Sequence, residues 1–252
     1  MRFMDKVVIV TGGGGGIGRA SAHLFAKEGA KVVVADINEQ TASVTVREIL
    51  EAGGEASFIQ VDVSSPESVE WLIGLTIHRY EKLDIMFNNA GIFGNGSHNT
   101  LELPVEEYKR TIQINQDGVF YGIQSAAKVM KDTGGVIINT ASIYGVIVDR
   151  NQLPYHASKA AVIAMTKAAA LDLARYHIRV VAIAPGMIDT SLVDQWRDNL
   201  HVWNTLKKAH MRREFGTADQ VAQVVAFLAS SDASFMNGHA YFVDDGAASF
   251  KH

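Results

Sequence analysis

Hydrophobic positions along this chain fall into two alternating rhythms. Short apolar runs rich in β-branched residues occupy Lys6–Val10, Lys31–Ala35, Ala56–Val61, Leu83–Phe87, Val136–Asn139, Ile178–Ala184 and Ala240–Val243. Between them, near residues 17–28, 39–52, 66–80, 104–131, 155–176 and 218–230, apolar residues recur at helical spacing. Runs that are apolar throughout, without a polar face, mark parallel strands covered on both sides. The alternation predicts an α/β fold: a doubly wound parallel sheet of about seven strands with helices on both faces. No linker, repeat or low-complexity tract interrupts it, so residues 1–252 are expected to form a single domain.

One segment breaks the rhythm. Between Pro185-Gly186 and Gly216 there is no strand-like core, but Met187, Leu192, Val193, Trp196, Leu200, Val202, Trp203 and Leu206 recur at roughly helical spacing. In open α/β sheets ligands bind beyond the carboxyl ends of the strands, and this segment follows such an end. Residues 187–215 are therefore expected to form a substrate-binding helical insertion.

Composition removes several function classes. The net charge of −4 is spread without a basic stripe, which argues against a duplex nucleic-acid binder. There is no cysteine, so thiolate chemistry and sulfur-ligated metals are excluded, and no metal is expected. Val7–Val10 is too short for the apolar region of a signal peptide, and no stretch approaches the ~18 apolar residues of a membrane span. The expected location is the cytoplasm.

Candidate chemistry begins at Thr11-Gly12-Gly13-Gly14-Gly15-Gly16-Ile17-Gly18, directly after one predicted strand and directly before a helix. There Gly12, Gly16, Ile17 and Gly18 bring backbone amides and a helix N-terminus to a pyrophosphate. Asp36 ends the second strand, where a carboxylate accepts hydrogen bonds from ribose hydroxyls and repels a 2′-phosphate. The residues after it, Ile37-Asn38, carry no cation, so the expected cofactor is NAD. Asp62-Val63 and Asn88-Asn89-Ala90-Gly91 end the next two strands on the same edge, placed to contact adenine and its ribose.

Tyr155 and Lys159 lie one helical turn apart, about 6 Å of rise, on one face. A phenol titrates near 10, so bringing it to about 7 takes roughly 4 kcal/mol of preference for the phenolate. The lysine cation, together with the positive ring of oxidised nicotinamide, is expected to supply that shift. Ser142, after the fifth strand, is placed to hydrogen-bond a reacting oxygen, and Asn115 to orient a proton-relaying water. Each feature alone is commonplace: a surface pair, a turn serine, a helix asparagine. Behind a cofactor turn their joint occurrence points to an oxidoreductase.

With these motifs the chain resembles the short-chain dehydrogenase/reductase family over essentially its whole length. The likeness rests on the Thr11-Gly12-x-x-x-Gly16-x-Gly18 turn, Asp62, Asn88-Asn89-Ala90-Gly91, Asn115, Ser142, Tyr155-x-x-x-Lys159 and Pro185-Gly186 with Thr190. The resemblance implies a Rossmann sheet, proton transfer by Tyr155 and hydride transfer at the nicotinamide C4 between a secondary alcohol and a ketone. It further implies that Lys159 holds the nicotinamide ribose and that Pro185, Gly186, Ile188 and Thr190 line the carboxamide side. A homotetramer pairing the helices at 104–131 and 155–176 is also implied. Several positions depart from the family's usual wording: Gln116-Asp117 after Asn115, Glu214 where arginine is common, and Asp245 where glycine is usual. Trp196 and Trp203 favour an apolar ketone or secondary alcohol. Lys207, Lys208, His210, Arg212 and Arg213 favour the alternative of a 3-oxoacyl thioester on an anionic carrier, although such reductases usually prefer NADP, against Asp36. A non-catalytic NAD-binding sensor would have no need of the four candidate catalytic residues.

Overall fold

The computed structural model describes residues 1–94, 96 and 98–250, with the side chain of Gln195 outside the description. Nine strands and their helices follow in order: β1 (Val7–Thr11), α1 (Gly16–Lys27), β2 (Lys31–Asp36), α2 (Glu39–Glu51), β3 (Glu55–Gln60), α3 (Pro66–Tyr80), β4 (Ile85–Asn88), α4 (Val105–Ile112), α5 (Gly118–Met130), β5 (Gly135–Thr140), α6 (Leu153–Leu173), β6 (Ile178–Pro185), β7 (Ile188–Asp189), α7 (Leu200–Lys208), β8 (Gly216–Thr217), α8 (Ala218–Ala229) and β9 (Ala240–Val243). Seven strands form one parallel sheet in the order β3-β2-β1-β4-β5-β6-β9.

The all-apolar strands supply two cores at once, because successive side chains point to opposite faces. Val8, Val10, Val32, Val34, Val181 and Ile183 pack on one face with Ala22 and Phe25 of α1 and Val221 and Val225 of α8. Their neighbours Val7, Ile9, Val33, Ala35, Val180 and Ala182 pack on the other face with Leu72 of α3, Ile123 of α5 and Val162 of α6. A polar residue at any of these positions would enter one core or the other, which is why the runs show no alternation.

Two details differ from the expected layout. The stretch predicted as one helix over 104–131 is helical, but Gln113–Asp117 forms a π-turn between α4 and α5. Its extra residue per turn leaves the hydrophobic period almost unchanged, so the pattern does not reveal it. The segment after Pro185 also contains a two-residue parallel bridge, Ile188↔Gly216 and Asp189↔Thr217, too short to carry a strand period.

The order of the strands locates the site. β1 lies between β2 and β4, so the chain leaves β1 toward one face and β4 toward the other. A crevice opens where the connections diverge, outside the carboxyl ends of these strands. Side chains tie its walls together: Thr11 Oγ1 accepts from the amides of Asn89 (2.9 Å) and Ala90 (3.1 Å), and Asn89 Nδ2 donates to Thr11 O at 3.0 Å.

Candidate active site

The glycine turn bridges β1 and α1 as expected. A Cβ on Gly18 would stand 2.1 Å from Gly12 O, a distance no side chain tolerates, so only glycine lets α1 start this close to the strand. Thr190 closes over the turn from the far side; a Cβ on Gly16 would lie 3.1 Å from its Cγ2. Asp36 faces the turn from β2. Its Oδ2 accepts from Gly14 N and its Oδ1 from Asn38 N, both at 2.9 Å, so the carboxylate is oriented before any ligand arrives.

These residues border a cavity of about 410 Å³. Gly12, Gly16, Ile17, Asp36, Asp62, Val63, Asn89, Ala90 and Gly91 line one part, and Ser142, Tyr155, Lys159, Pro185, Gly186, Ile188 and Thr190 the rest. Of the residues singled out from the sequence for this site, Gly18, Asn88 and Asn115 stand behind the wall instead of in it. The glycine turn and the oriented Asp36 carboxylate on one cavity fit a dinucleotide.

Tyr155 and Lys159 lie in the first turns of α6, both buried. A ladder of buried amides sets that helix against the sheet: Asn88 Nδ2 donates to Asn139 Oδ1 (2.9 Å) and Asn139 Nδ2 to Thr166 Oγ1 (3.0 Å). Sequence reasoning assigned Asn139 only to a strand and passed over Thr166. Ser142 follows β5, and its hydroxyl accepts from Tyr144 N at 3.1 Å. Lys159 Nζ donates to Thr140 O at 2.8 Å and lies 5.6 Å from the centroid of the Tyr155 ring.

Asn115 sits in the π-turn, fully buried, and does not reach into the cavity. Its Oδ1 accepts from Ile92 N at 2.8 Å and its Nδ2 donates to Ile92 O at 2.9 Å. It clasps the strand-end backbone that continues to Phe93. A Cβ on Gly91 would lie 3.2 Å from Asn115 Oδ1 and 3.5 Å from Lys159 Nζ, so these groups converge on one point.

Burial sets the electrostatics of the protein's own groups here. Burial pushes Tyr155 up to about 12, and the interaction with Ser142 pulls it down less strongly. Burial also lowers Lys159 to about 8. The lysine stands against the ring with its ammonium donating to a carbonyl, so within the protein's own groups desolvation dominates. At neutral pH the arrangement is a protonated phenol beside an ammonium.

Aromatic residues surround Tyr155, and sequence reasoning identified only one of them. Phe93 lies 4.4 Å from the Tyr155 ring, Tyr144 6.3 Å, and Trp196 meets Phe93 edge-on at 5.2 Å. Trp196 was expected here. Trp203 was too, but it packs on Phe215 at 4.4 Å beneath Arg197 and Lys207 and does not line the cavity. Nor do the five basic residues expected near it line the cavity. Two of the unusual positions meet at one of them: Arg212 Nε donates to Asp245 Oδ1 at 2.8 Å and Arg212 Nη1 lies 3.6 Å from Glu214. Asp245 has φ +47, a conformation natural to the glycine it replaces.

A family model described as enoyl-(acyl carrier protein) reductase matches residues 13–248. The chain belongs to the short-chain dehydrogenase/reductase family. It is 39% identical to a cyclohexanol dehydrogenase of Acinetobacter sp. (strain SE19), covering 96% of this chain and 95% of that one. It is 37% identical to a levodione reductase of Leifsonia aquatica, covering 97% and 95%. A solved structure of levodione reductase superimposes with a TM-score of 0.95 at 35% identity, covering 99% of this chain and 100% of the other. This family member is an oxidoreductase, and members of the family typically bind a nicotinamide cofactor. Among the described residues, no helix is long and apolar enough to cross a membrane.

Proposed function

We propose that this short-chain dehydrogenase/reductase uses NAD(H) to interconvert a secondary alcohol and a ketone, and that its substrate is apolar and cyclic. The observation that carries this reading is the convergence of Ser142, Tyr155 and Lys159 on the cavity that begins at the glycine turn. Gly12, Gly16 and Ile17 would hold the pyrophosphate, with Gly18 letting the helix approach. Asp36 would hold the adenosine ribose, and Asp62, Val63, Asn89, Ala90 and Gly91 would flank adenine and its sugar. Lys159 would hold the second ribose, and Pro185, Gly186, Ile188 and Thr190 would flank the carboxamide. A bound nicotinamide supplies or removes hydride at its C4.

The chain's own residues handle the proton. In reduction Tyr155 gives its phenolic proton to the carbonyl oxygen, and in oxidation the phenolate takes the alcohol proton. Ser142 hydrogen-bonds the same oxygen. Lys159 keeps a positive charge near the ring at neutral pH, favouring the phenolate when it forms. Asn115 acts by fixing the strand-end backbone next to Lys159. Exposed Phe120 on α5 and Leu153 and Leu171 on α6 support the expected pairing of these helices in a homotetramer.

Phe93, Tyr144 and Trp196 support the substrate class, since aromatic faces and edges favour compact apolar rings over charged carriers. The 3-oxoacyl thioester reading loses support because His210 is buried, Arg212 is paired with acids, and Lys207 lies against the Trp203 and Phe215 rings. The direct test follows reduced-nicotinamide absorbance over a panel of cyclic ketones, acyclic ketones and acyl thioesters. Turnover of cyclic ketones is expected, and preferential turnover of acyl thioesters would replace the reading. Trp196→Ala is expected to lower kcat/KM for cyclohexanone about tenfold relative to 2-butanone, the order of an aromatic contact plus lost burial. An unchanged ratio would remove Trp196 from substrate recognition.

A further inference from the structure

His210 is 2% exposed and has no role in the site assembled above. Its Nε2 accepts a hydrogen bond from the amide of Met187 at 3.1 Å. An accepting Nε2 places the proton of the neutral ring on Nδ1. Nδ1 makes no hydrogen bond of normal geometry among the described residues. A Cβ on Gly186 would lie 2.8 Å from Nε2, so the imidazole is pressed against the Gly186-Met187 backbone. That backbone lines the cavity of about 410 Å³ on its other side.

The backbone that follows His210 is tied to the chain beyond β9. Met211 N donates to Asp245 O at 3.1 Å, and Arg212 N donates to Asp245 Oδ2 at 2.7 Å. His210 also borders a second cavity of about 330 Å³ with Met187, Arg212, Glu214, Asp244 and Asp245. His210 thus sits where the end of the 187–210 segment, tied to the chain after β9 through Met211 and Arg212, meets the wall of the first cavity.

We propose that His210 is a positioning residue whose neutral imidazole latches the Gly186-Met187 backbone in place, and that protonation of the ring releases it. The proposal rests on the nicotinamide reading above, since that backbone would flank the carboxamide. A protonated ring carries N–H on both nitrogens, so Nε2 would confront the Met187 amide donor to donor. The amide would then be buried without an acceptor. Asp245, Asp244 and the nearby carbonyls of Lys207 and Leu206 favour the proton, but burial outweighs them and holds His210 below its usual 6.5. Arg212 and Glu214 border the same cavity and are paired with each other, Arg212 also with Asp245. The latch is therefore closed at neutral pH and opens as the pH falls through a value below 6.5.

The test combines kinetics with a measurement that needs no turnover. In the wild type, kcat/KM for the cofactor is expected to fall about tenfold from about pH 7 to about pH 5, the order of loss when a buried donor loses its acceptor. His210→Gln keeps an acceptor that does not titrate, so it should retain neutral activity and lose this acid limb. His210→Leu should be about tenfold weaker already at neutral pH, chiefly through KM. A glutamine variant that keeps the acid limb would overturn the latch. In the wild-type protein, the Met187 amide resonance should shift with the same midpoint as the His210 ring. A Met187 resonance unmoved through that titration would overturn the latch whatever the enzyme turns over. If the nicotinamide reading alone were wrong, NADH would fail to bind while the two resonances still titrated together.

Discussion

Tyr155→Phe is expected to lower turnover by about 10²–10⁴-fold, the range lost with a general acid–base, while leaving NADH affinity nearly intact. The separation of effects follows from geometry. The ring is buried between Phe93 and Tyr144, and a phenylalanine ring preserves those contacts. Lys159 keeps its hydrogen bond to Thr140 O, so the cofactor side of the cavity does not depend on the phenol oxygen. On the proposed mechanism, what would disappear is the proton carrier at the reacting oxygen. Ser142 remains as a donor but is a far weaker acid. The wild type supplies the companion measurement. Because burial pushes Tyr155 up to about 12, the proposed ketone reduction would have its proton available throughout the neutral range. Alcohol oxidation needs the phenolate, so its rate should climb with pH while the reductive rate does not. Stopped-flow single-turnover rates in both directions, with equilibrium NADH fluorescence on the variant, read all of this. Retained turnover in Tyr155→Phe would remove Tyr155 from the chemistry.

The parts of this molecule legible in the sequence are those in which one segment states its own geometry. A fully apolar β-branched run such as Val7–Val10 has one stable setting, inside a sheet covered on both faces, and it forms β1. Tyr155 and Lys159 share a face because the helix period puts them there. The glycine turn reads correctly because Gly18 leaves no room for a Cβ against Gly12 O. What stayed hidden depends on segments distant in sequence. Phe93 follows β4 and Tyr144 follows β5, and only the fold brings both rings to Tyr155. Trp196 and Trp203 share the helical spacing of their segment, yet one enters the cavity and the other packs on Phe215. Spacing gives the face of a helix, not what lies opposite that face. Asn115 shows a related limit, since its spacing to Ser142 and Tyr155 was legible but its clasp on Ile92 was not. The surroundings of Tyr155 show the same limit: the sequence places a lysine one turn away but cannot state how completely the pair leaves water.

NADP(H) should bind about a thousandfold more weakly than NAD(H), because two unit charges at about 4 Å repel by roughly 4 kcal/mol at an effective dielectric near 20. The structure strengthens the basis for this expectation. Asp36 is held by Gly14 N and Asn38 N at 2.9 Å each, so it cannot swing away from a 2′-phosphate without releasing the glycine turn. Ile37, the next residue, is exposed and uncharged. Arg19 in the first turns of α1 is held by both carboxylate oxygens of Glu48, at 2.5 and 2.6 Å. The two backbone bonds to Asp36 also shape what its replacement does. Asp36→Asn removes the charge, but its amide nitrogen must then face Gly14 N or Asn38 N, donor against donor. Weaker binding of NADH is therefore expected, by about tenfold. Relief of the repulsion should outweigh that loss for NADPH, narrowing the gap between the two by a factor on the order of a hundred. Calorimetric titration of both reduced cofactors into wild type and variant gives four dissociation constants and hence the coupling. Equal wild-type affinities would mean that a cation reaches the 2′-phosphate, and Arg110, which lines the same cavity from α4, would be the first to replace. A variant that weakens NADH while leaving the ratio unchanged would confine Asp36 to shaping the turn.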